Sequence, residues 1–245
     1  VWGADLSAVL DGHSQEITER GGDPLLTNRS VLTGGGNIAF VYKAAAEIGE
    51  LGDNTRAMRA AVADDSLLRL ALSNPDARLS LVGHTRWASV GIISEPNAHP
   101  VNSERALGDA DGSQPYVVAA LNGDVDNHAD LRIAHGLAFP SQITTDAKVI
   151  PALVNSHARA CGDTVEAFRR SVSSFEGSVA IAVAATDAPN RVMLALRGSG
   201  QGVFVGLADD LYIVASEPYG VVEETDRYFR LDGEGTSTAS LTDSK

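Results

Sequence analysis

The 245-residue sequence has one cysteine, Cys161. A single thiol closes no internal disulfide, so a stapled secreted fold is excluded and a reducing cytoplasm is the expected compartment. Basic residues are scarce: 19 Lys and Arg stand against 32 Asp and Glu, a formal net charge of -13. With no Lys/Arg cluster either, the basic face that a nucleic-acid binder needs is lacking, and no nucleic-acid partner is expected. Long apolar runs are also lacking. Those present, such as Ser178–Ala185, fall well short of the roughly 20 residues that span a bilayer, so no membrane partner is expected. No signal peptide is recognisable. The six histidines, at 13, 84, 99, 128, 135 and 157, show no zinc-ligand spacing, so no metal and no cofactor are expected. An initiating Met is absent too. The opening Val1-Trp2-Gly3-Ala4-Asp5-Leu6 reads as a strand entered midway, and hence as part of a longer chain.

What is present is an ordinary globular composition, 44% hydrophobic, long enough for one large or two small cores. Patterning predicts strands at Val1–Leu10 and Ile38–Lys43, separated by a polar hairpin excursion or loop over Asp11–Gly36. It predicts a helix over Asn54–Leu72, ended by Asn74-Pro75, and strands at Leu79–Val82 and Tyr116–Leu121. Helices follow at Asp126–His135, at Asp146–Ala160 (capped by Thr145, stopped by Gly162, with Pro151 unexplained inside it) and at Thr164–Ser174. In the last of these, Val165, Phe168 and Val172 share one face. Short strands are then expected at Val179–Ala185, Val192–Arg197, Val203–Leu207, Tyr212–Ala215 and Tyr228–Leu231. Residues 236–245 read as a linker. Strands in runs with a block of helices between them indicate an α+β fold of antiparallel sheets, not a doubly wound parallel one.

Several motifs fail on context. Gly198-Ser199-Gly200-Gln201-Gly202 resembles a phosphate loop, but a strand follows it where a helix N-terminus is needed. Asp109-Ala110-Asp111-Gly112 has no closing Glu for a calcium loop. No Gly-x-Ser-x-Gly elbow exists. His157 and Cys161 stand at i and i+4, but no oxyanion donors lie near them in sequence.

Three segments suit a free amino acid. Arg86, just past a strand, can clamp a carboxylate through two parallel bonds. Asn122-Gly123, at the end of another strand, offers a side-chain amide and a backbone N–H to an oxyanion. Asp146, at a helix start, could hold an ammonium group. Taken singly, each has a structural explanation at least as good: an ion pair for Arg86, a core aromatic for Trp87, a hairpin turn for Asn122-Gly123, a helix-dipole partner for Asp146.

Together and in this order they resemble the class II glutamine amidotransferase domain of the glucosamine-6-phosphate synthase type. The resemblance rests on His84-Thr85-Arg86-Trp87-Ala88, Gly91, Ser94-Glu95 and Asn97-Ala98-His99-Pro100. It continues through Asn122-Gly123, Asn127-His128-Ala129-Asp130-Leu131 and Thr145-Asp146-Ala147-Lys148-Val149-Ile150. Phe175-Glu176-Gly177 and Ala215-Ser216-Glu217 follow, and the similarity covers roughly residues 38 to 235. It implies the N-terminal-nucleophile hydrolase fold, a four-layer αββα sandwich. It also implies an amidotransferase domain over 1–235, with 11–36 an insertion or loop.

By the same resemblance, the Asn122 side chain and the Gly123 N–H form an oxyanion hole. Arg86 and Asp146 bind the α-carboxylate and α-ammonium of L-glutamine, Trp87 shields the site, and Ser89 contributes its hydroxyl. Ammonia released from glutamine would pass to a sugar-phosphate isomerase domain that makes glucosamine 6-phosphate, with a homo-oligomer formed through that domain. Two departures stand out. Ser89-Val90 replace a Thr-His pair, and the family's Cys-Gly-Ile opening, which supplies the nucleophile, has no counterpart. The expectation is therefore an enzyme part without glutaminase activity of its own. The alternative is a glutamine-binding or regulatory module. A synthase of asparagine or of a purine precursor matches the motifs less well.

Overall fold

In the computed structural model, which describes residues 1–21, 25–45, 50, 52–85, 89–105 and 116–231, the first ten residues are not a strand. Trp2 exchanges two backbone hydrogen bonds with Arg78 (3.0 and 2.7 Å) and Val1 two with Ile38 (3.1 and 2.7 Å), and the pairing goes no further. Helix α1 (Ser7–Gly12) then starts where the Asp5 carboxylate accepts from the Ser7 N–H and hydroxyl (3.0 and 2.6 Å). Helix α2 (Ser14–Arg20) follows at once. Leu6, Val9 and Leu10 recur at helical spacing, which explains the difference: the helix turns them together onto a small core, where Ile17 of α2 joins them. The expected loop over 11–36 thus contains α2 and strand β1 (Ser30–Gly34), which pairs antiparallel with β2 (Asn37–Val41).

The helix expected over 54–72 is two helices, α3 (Asp53–Ala63) and α4 (Ser66–Leu72). The break falls at Asp65, whose extended backbone lets its carboxylate accept from the Leu68 N–H at 3.1 Å and cap α4. The same carboxylate takes the Arg20 guanidinium at 2.5 Å and the Tyr42 hydroxyl at 2.8 Å. Arg20 also reaches Glu16 and the Arg29 carbonyl. The Asp65 carboxylate therefore ties α2, the residue after β2 and α4 around a small core of Leu6, Val31, Ile38, Leu67 and Ala71. The strand expected at 79–82 is absent. Leu79 and Leu81 are exposed, and Ser80 is held by side-chain bonds to Trp2 and Pro189.

The larger unit is built on β3 (Val101–Asn102) and β4 (Val117–Gly123), with helices α5 (His128–Ala134), α6 (Val149–Cys161) and α7 (Thr164–Ser173) after them. Strands β5 (Val179–Ala185) and β6 (Met193–Arg197) complete an antiparallel sheet of order β3-β4-β5-β6. Strands β7 (Val203–Leu207), β8 (Tyr212–Ala215) and β9 (Tyr228–Leu231), with helix α8 (Tyr219–Val222) before the last, form a second antiparallel sheet of order β8-β7-β9.

Alternation sorts the residues of β4 and β5. Val117, Ala119, Leu121, Val179, Ile181 and Val183 face α6 and α7, where Ile150, Leu153, Val154, Phe168 and Phe175 complete the core. Ala120, Asn122, Ala180 and Ala182 border a cavity on the other face, whose far wall is Val203, Val214 and Ala215 of the second sheet. On that sheet's outer side, α8 sets Val221 against Gly206. The order helix, sheet, sheet, helix is the αββα arrangement of an α+β fold.

Two helix details depart from expectation. A 3-10 turn over Asp146–Lys148 precedes α6, so Pro151 is the third residue of α6 rather than mid-helix. There a missing N–H breaks no bond of the α-helix, which explains the proline. Gly162 stops α6 in the left-handed region (φ 72°). In α7, Phe168 is buried and Val172 packs on the core, but Val165 is exposed. Thr164, Ala167 and Ser171 share the buried face with Phe168 instead.

Asp65 is 4% exposed. Burial alone raises its pKa, but Arg20, Tyr42 and the Leu68 N–H outweigh that and hold it below the ordinary carboxylate value. A depressed folded pKa contributes stability above the unfolded value and loses it as pH falls through the folded one. Asp65→Ala leaves Arg20 without its buried partner and is expected to cost about 3 kcal/mol or more in urea unfolding at pH 7. The loss relative to wild type should shrink as pH falls below 4.

Candidate functional site

The cavity between the two sheets has a volume of about 640 Å³. Its floor is made of small side chains, Ala120, Ala180 and Ala182, which leave room where larger strand residues would fill the gap. Polar groups border it from segments far apart in sequence: His84, Thr85 and Ser89, then Asn122 and Gly123, then Asp146, then Gln201 and Ser216. Four of the six residues singled out from the sequence, Ser89, Asn122, Gly123 and Asp146, thus meet at one place. Arg86 and Trp87 lie outside the described residues, between Thr85 and Ser89, both of which border the cavity.

Gly123 ends β4 with φ +101°, a conformation that favours glycine. A Cβ there would stand 1.9 Å from the Ser178 carbonyl oxygen. That oxygen accepts the Asp124 N–H at 3.1 Å, so the turn out of β4 is stitched to the start of β5. Alternation along β4 puts Asn122 on the cavity face, and its carboxamide makes no hydrogen bond among the described residues. Asp146 is 2% exposed. Its Oδ2 accepts the Val125 N–H at 2.8 Å, so this carboxylate positions the chain just after Gly123 as well as bordering the cavity. The Ser89 hydroxyl donates to Asp124 Oδ1.

Asn97 and His99 belong to the motif, but the sequence alone assigns them no role. The Asn97 Oδ1 accepts the N–H groups of Thr144 and Thr145 (2.7 and 3.0 Å), and its Nδ2 donates to Ser94 and to the Gln142 carbonyl. This buried amide fixes the loop that presents Asp146. His99 Nδ1 accepts the Leu121 N–H at 3.2 Å, and the His99 ring packs 4.5 Å from that of His84. The Asn97-Ala98-His99-Pro100 run was the available signal. A buried Asn beside a buried His serves as backbone-satisfying hardware for two neighbouring loops.

Cys161 and His157 do not form a reactive pair. His157 Nδ1 bonds Ser171 Oγ at 2.9 Å, while the Cys161 thiol donates to the Asp163 carbonyl at 3.3 Å. Cys161 packs against the core on the helix side of the sheet and does not border the cavity. Among the described residues, no group of three or more His, Cys, Asp or Glu is placed to hold a metal ion. None of their helices is long and apolar enough to cross a membrane.

Two residues past Asp146, Lys148 is fully buried, donating to Asn102 Oδ1 with the Phe139 ring 5.7 Å from its ammonium. Burial first, then the Lys43 ammonium, push its pKa down to about 7, against the pull of Glu104.

No protein-family model matches the chain. Relatives named glutamine–fructose-6-phosphate aminotransferase (isomerizing) are 33% identical over 157 residues in Clostridium tetani and 36% over 152 in Bordetella pertussis. One from Neisseria meningitidis serogroup A is 35% identical over 153 residues. Each match takes in 62% of this chain and 23% of the relative, so the chain spans about a quarter of the length of the curated relatives it matches. Among solved structures, glutamine phosphoribosylpyrophosphate amidotransferase from B. subtilis aligns with a TM-score of 0.43 at 20% identity, over 64% of this chain and 34% of that one. A structure described as the allosteric regulatory enzyme of purine biosynthesis aligns with a TM-score of 0.40 at 21% identity, over 57% and 30%.

Two outcomes are expected from this geometry. Gly123→Ala forces a clash with backbone and a strained φ, and should cost about 3 kcal/mol or more in denaturant unfolding. For Lys148, as for Asp65, the folded pKa is lowered, so the slope has the same sign but falls in the alkaline range. Between pH 7 and 10.5 the unfolded chain binds more protons than the folded one, so stability rises with pH. Lys148→Met should flatten this rise in thermal melts, and an unchanged slope would rule the account out.

Proposed function

We propose that this chain is the glutamine-binding part of a glutamine amidotransferase and that its cavity takes L-glutamine. The observation that carries the reading is the convergence of Ser89, Asn122, Gly123 and Asp146 on one cavity, with Thr85 and Ser89 on either side of Arg86 and Trp87. In this reading Asp146 receives the α-ammonium and Arg86 the α-carboxylate through two parallel bonds. The side-chain carboxamide then lies toward Asn122 and Gly123, where two N–H donors face its carbonyl oxygen and would stabilise an oxyanion. Ser89 and Trp87 border the ligand. In the parent protein, ammonia passes to a sugar-phosphate isomerase domain that aminates fructose 6-phosphate, as the names of the relatives suggest.

Amide hydrolysis by this route needs a nucleophile within reach of the carboxamide carbon. The sole thiol of the chain, Cys161, is engaged on the helix side of the sheet. The chain by itself therefore binds glutamine without cleaving it, and an oxyanion hole without a nucleophile serves as a binding site for a neutral amide.

Titration calorimetry with L-glutamine is expected to show one site per chain. Asp146→Asn keeps an acceptor for the Val125 N–H but loses the charge, and should weaken binding about tenfold or more. Ammonia release should stay at background. No heat with L-glutamine at millimolar concentration, or an unchanged affinity in Asp146→Asn, would reject the assignment. Ammonia release abolished by Asn122→Ala would reject the non-hydrolytic part alone.

A further inference from the structure

The glycine-rich run 198–202, which fails as a phosphate loop, has another use. The Ser178 hydroxyl donates to the Ser199 carbonyl, holding the run against the turn where β4 ends and β5 begins. Gly198 lies so close to this turn that a Cβ would stand 2.7 Å from the Gly177 carbonyl oxygen. The run therefore delivers the next side chain, Gln201, to the cavity wall beside Gly123. Gln201 Nε2 lies 3.2 Å from the point where a Cβ on Gly123 would stand. Gln201 is half-buried, borders the cavity, and makes no hydrogen bond with its carboxamide among the described residues. A half-buried amide that the protein does not use for its own structure, next to the glycine of a proposed donor pair, is available to a ligand.

We propose that Gln201 is a specificity-determining residue that reads the carboxamide end of the bound amino acid and distinguishes glutamine from glutamate. This rests on the reading of the cavity as a glutamine site. A primary amide carries an N–H₂ donor and a carbonyl acceptor side by side, so two of them pair through two antiparallel N–H···O bonds. Glutamine presents that complement to Gln201. Glutamate presents two acceptors, accepts one bond, and leaves the Gln201 carbonyl facing a carboxylate oxygen. A site built to donate to and accept from a ligand group penalises the analogue that cannot answer both. In the proposed reading Asn122 and Gly123 turn N–H donors toward the ligand carbonyl oxygen, a contact that a carboxylate oxygen satisfies as well. Gln201 adds an acceptor, which a carboxylate does not satisfy.

The test is titration calorimetry with L-glutamine and L-glutamate on wild type, Gln201→Ala and Gln201→Glu, with thermal melts as the folding control. Wild type is expected to prefer glutamine. Gln201→Ala should weaken glutamine about tenfold while changing glutamate about twofold or less, which removes most of the preference. Gln201→Glu is nearly isosteric and carries the test should the alanine variant fold poorly. It keeps an acceptor for the ligand amide, so it should hold glutamine within a few-fold and weaken glutamate about tenfold or more by charge repulsion. Folded variants with an unchanged glutamine-to-glutamate ratio would overturn the role of Gln201 and leave the glutamine site standing. Wild type that binds neither amino acid would overturn the glutamine site itself, and this inference with it.

Discussion

Strand β4 is the constraint on which the site depends. It pairs with β5 over its whole length, and three N–H groups at or just past its end are each taken by a different part of the chain. His99 accepts the Leu121 N–H, Ser178 the Asp124 N–H, and Asp146 the Val125 N–H. A buried N–H left without a partner costs about as much as a lost hydrogen bond, so these three contacts fix three loops to one strand end. The close approach of Gly123 to the Ser178 carbonyl allows no side chain there. Asn122 is then left as the last β4 side chain to project into the cavity.

The two faces of the sheet obey different rules. Toward α6 and α7, the branched and aromatic side chains of the main core fill the space between the layers, as close-packed interiors do. Toward the second sheet, alanines hold the place of larger residues and leave a cavity of about 640 Å³. The loops bordering that cavity cannot rely on packing, and they are held by polar contacts instead: Asn97 under 144–145, Ser89 on Asp124, Ser178 on Ser199. Lys148 shows the cost of such an arrangement. A cation buried near the site is tolerated with its proton weakly held, because Asn102 and Glu104 offset only part of its lost hydration.

How much of this could be read from the sequence depended on what positions each segment. Strands β5, β7, β8 and β9 carry the bounds that alternation and turn residues indicate, since burial on a sheet face sets their pattern. Val1–Leu10 misled because a short apolar segment fits both periods, and tertiary packing of Leu6 and Leu10 on β1 and β2 decided for helix. The break between α3 and α4 is a demand made at a distance: Arg20 and Tyr42 need the Asp65 carboxylate at a helix cap. Nothing local to Asn54–Leu72 announces that partner. The strand at 79–82 failed because strand propensity without a neighbouring strand yields only an extended segment. Of the residues bordering the cavity, Asn122, Gly123 and Asp146 were legible as donor and acceptor types at element ends. Asn97, His99 and Gln201 were not, because their contributions are contacts to backbone or proximity across the fold, which spacing does not encode.

The placement of Cys161 keeps the thiol of this chain away from the cavity. Thiol attack requires the sulfur on the cavity side, near the Asn122–Gly123 pair, with a base to take its proton. Helix α6 instead carries Cys161 at its last turn, where the thiol donates to a carbonyl and packs against apolar neighbours. Moving it would require the helix layer and the sheet to exchange sides. The groups bordering the cavity are a carboxylate, two carboxamides, hydroxyl-bearing residues and a backbone turn that favours glycine, and in the proposed reading they hold and orient an amino acid. Such a set can be rigid and selective without being reactive. In the proposed reading, any reactive group that works on the ligand enters from the cavity side and faces a carboxamide held by the donors of β4.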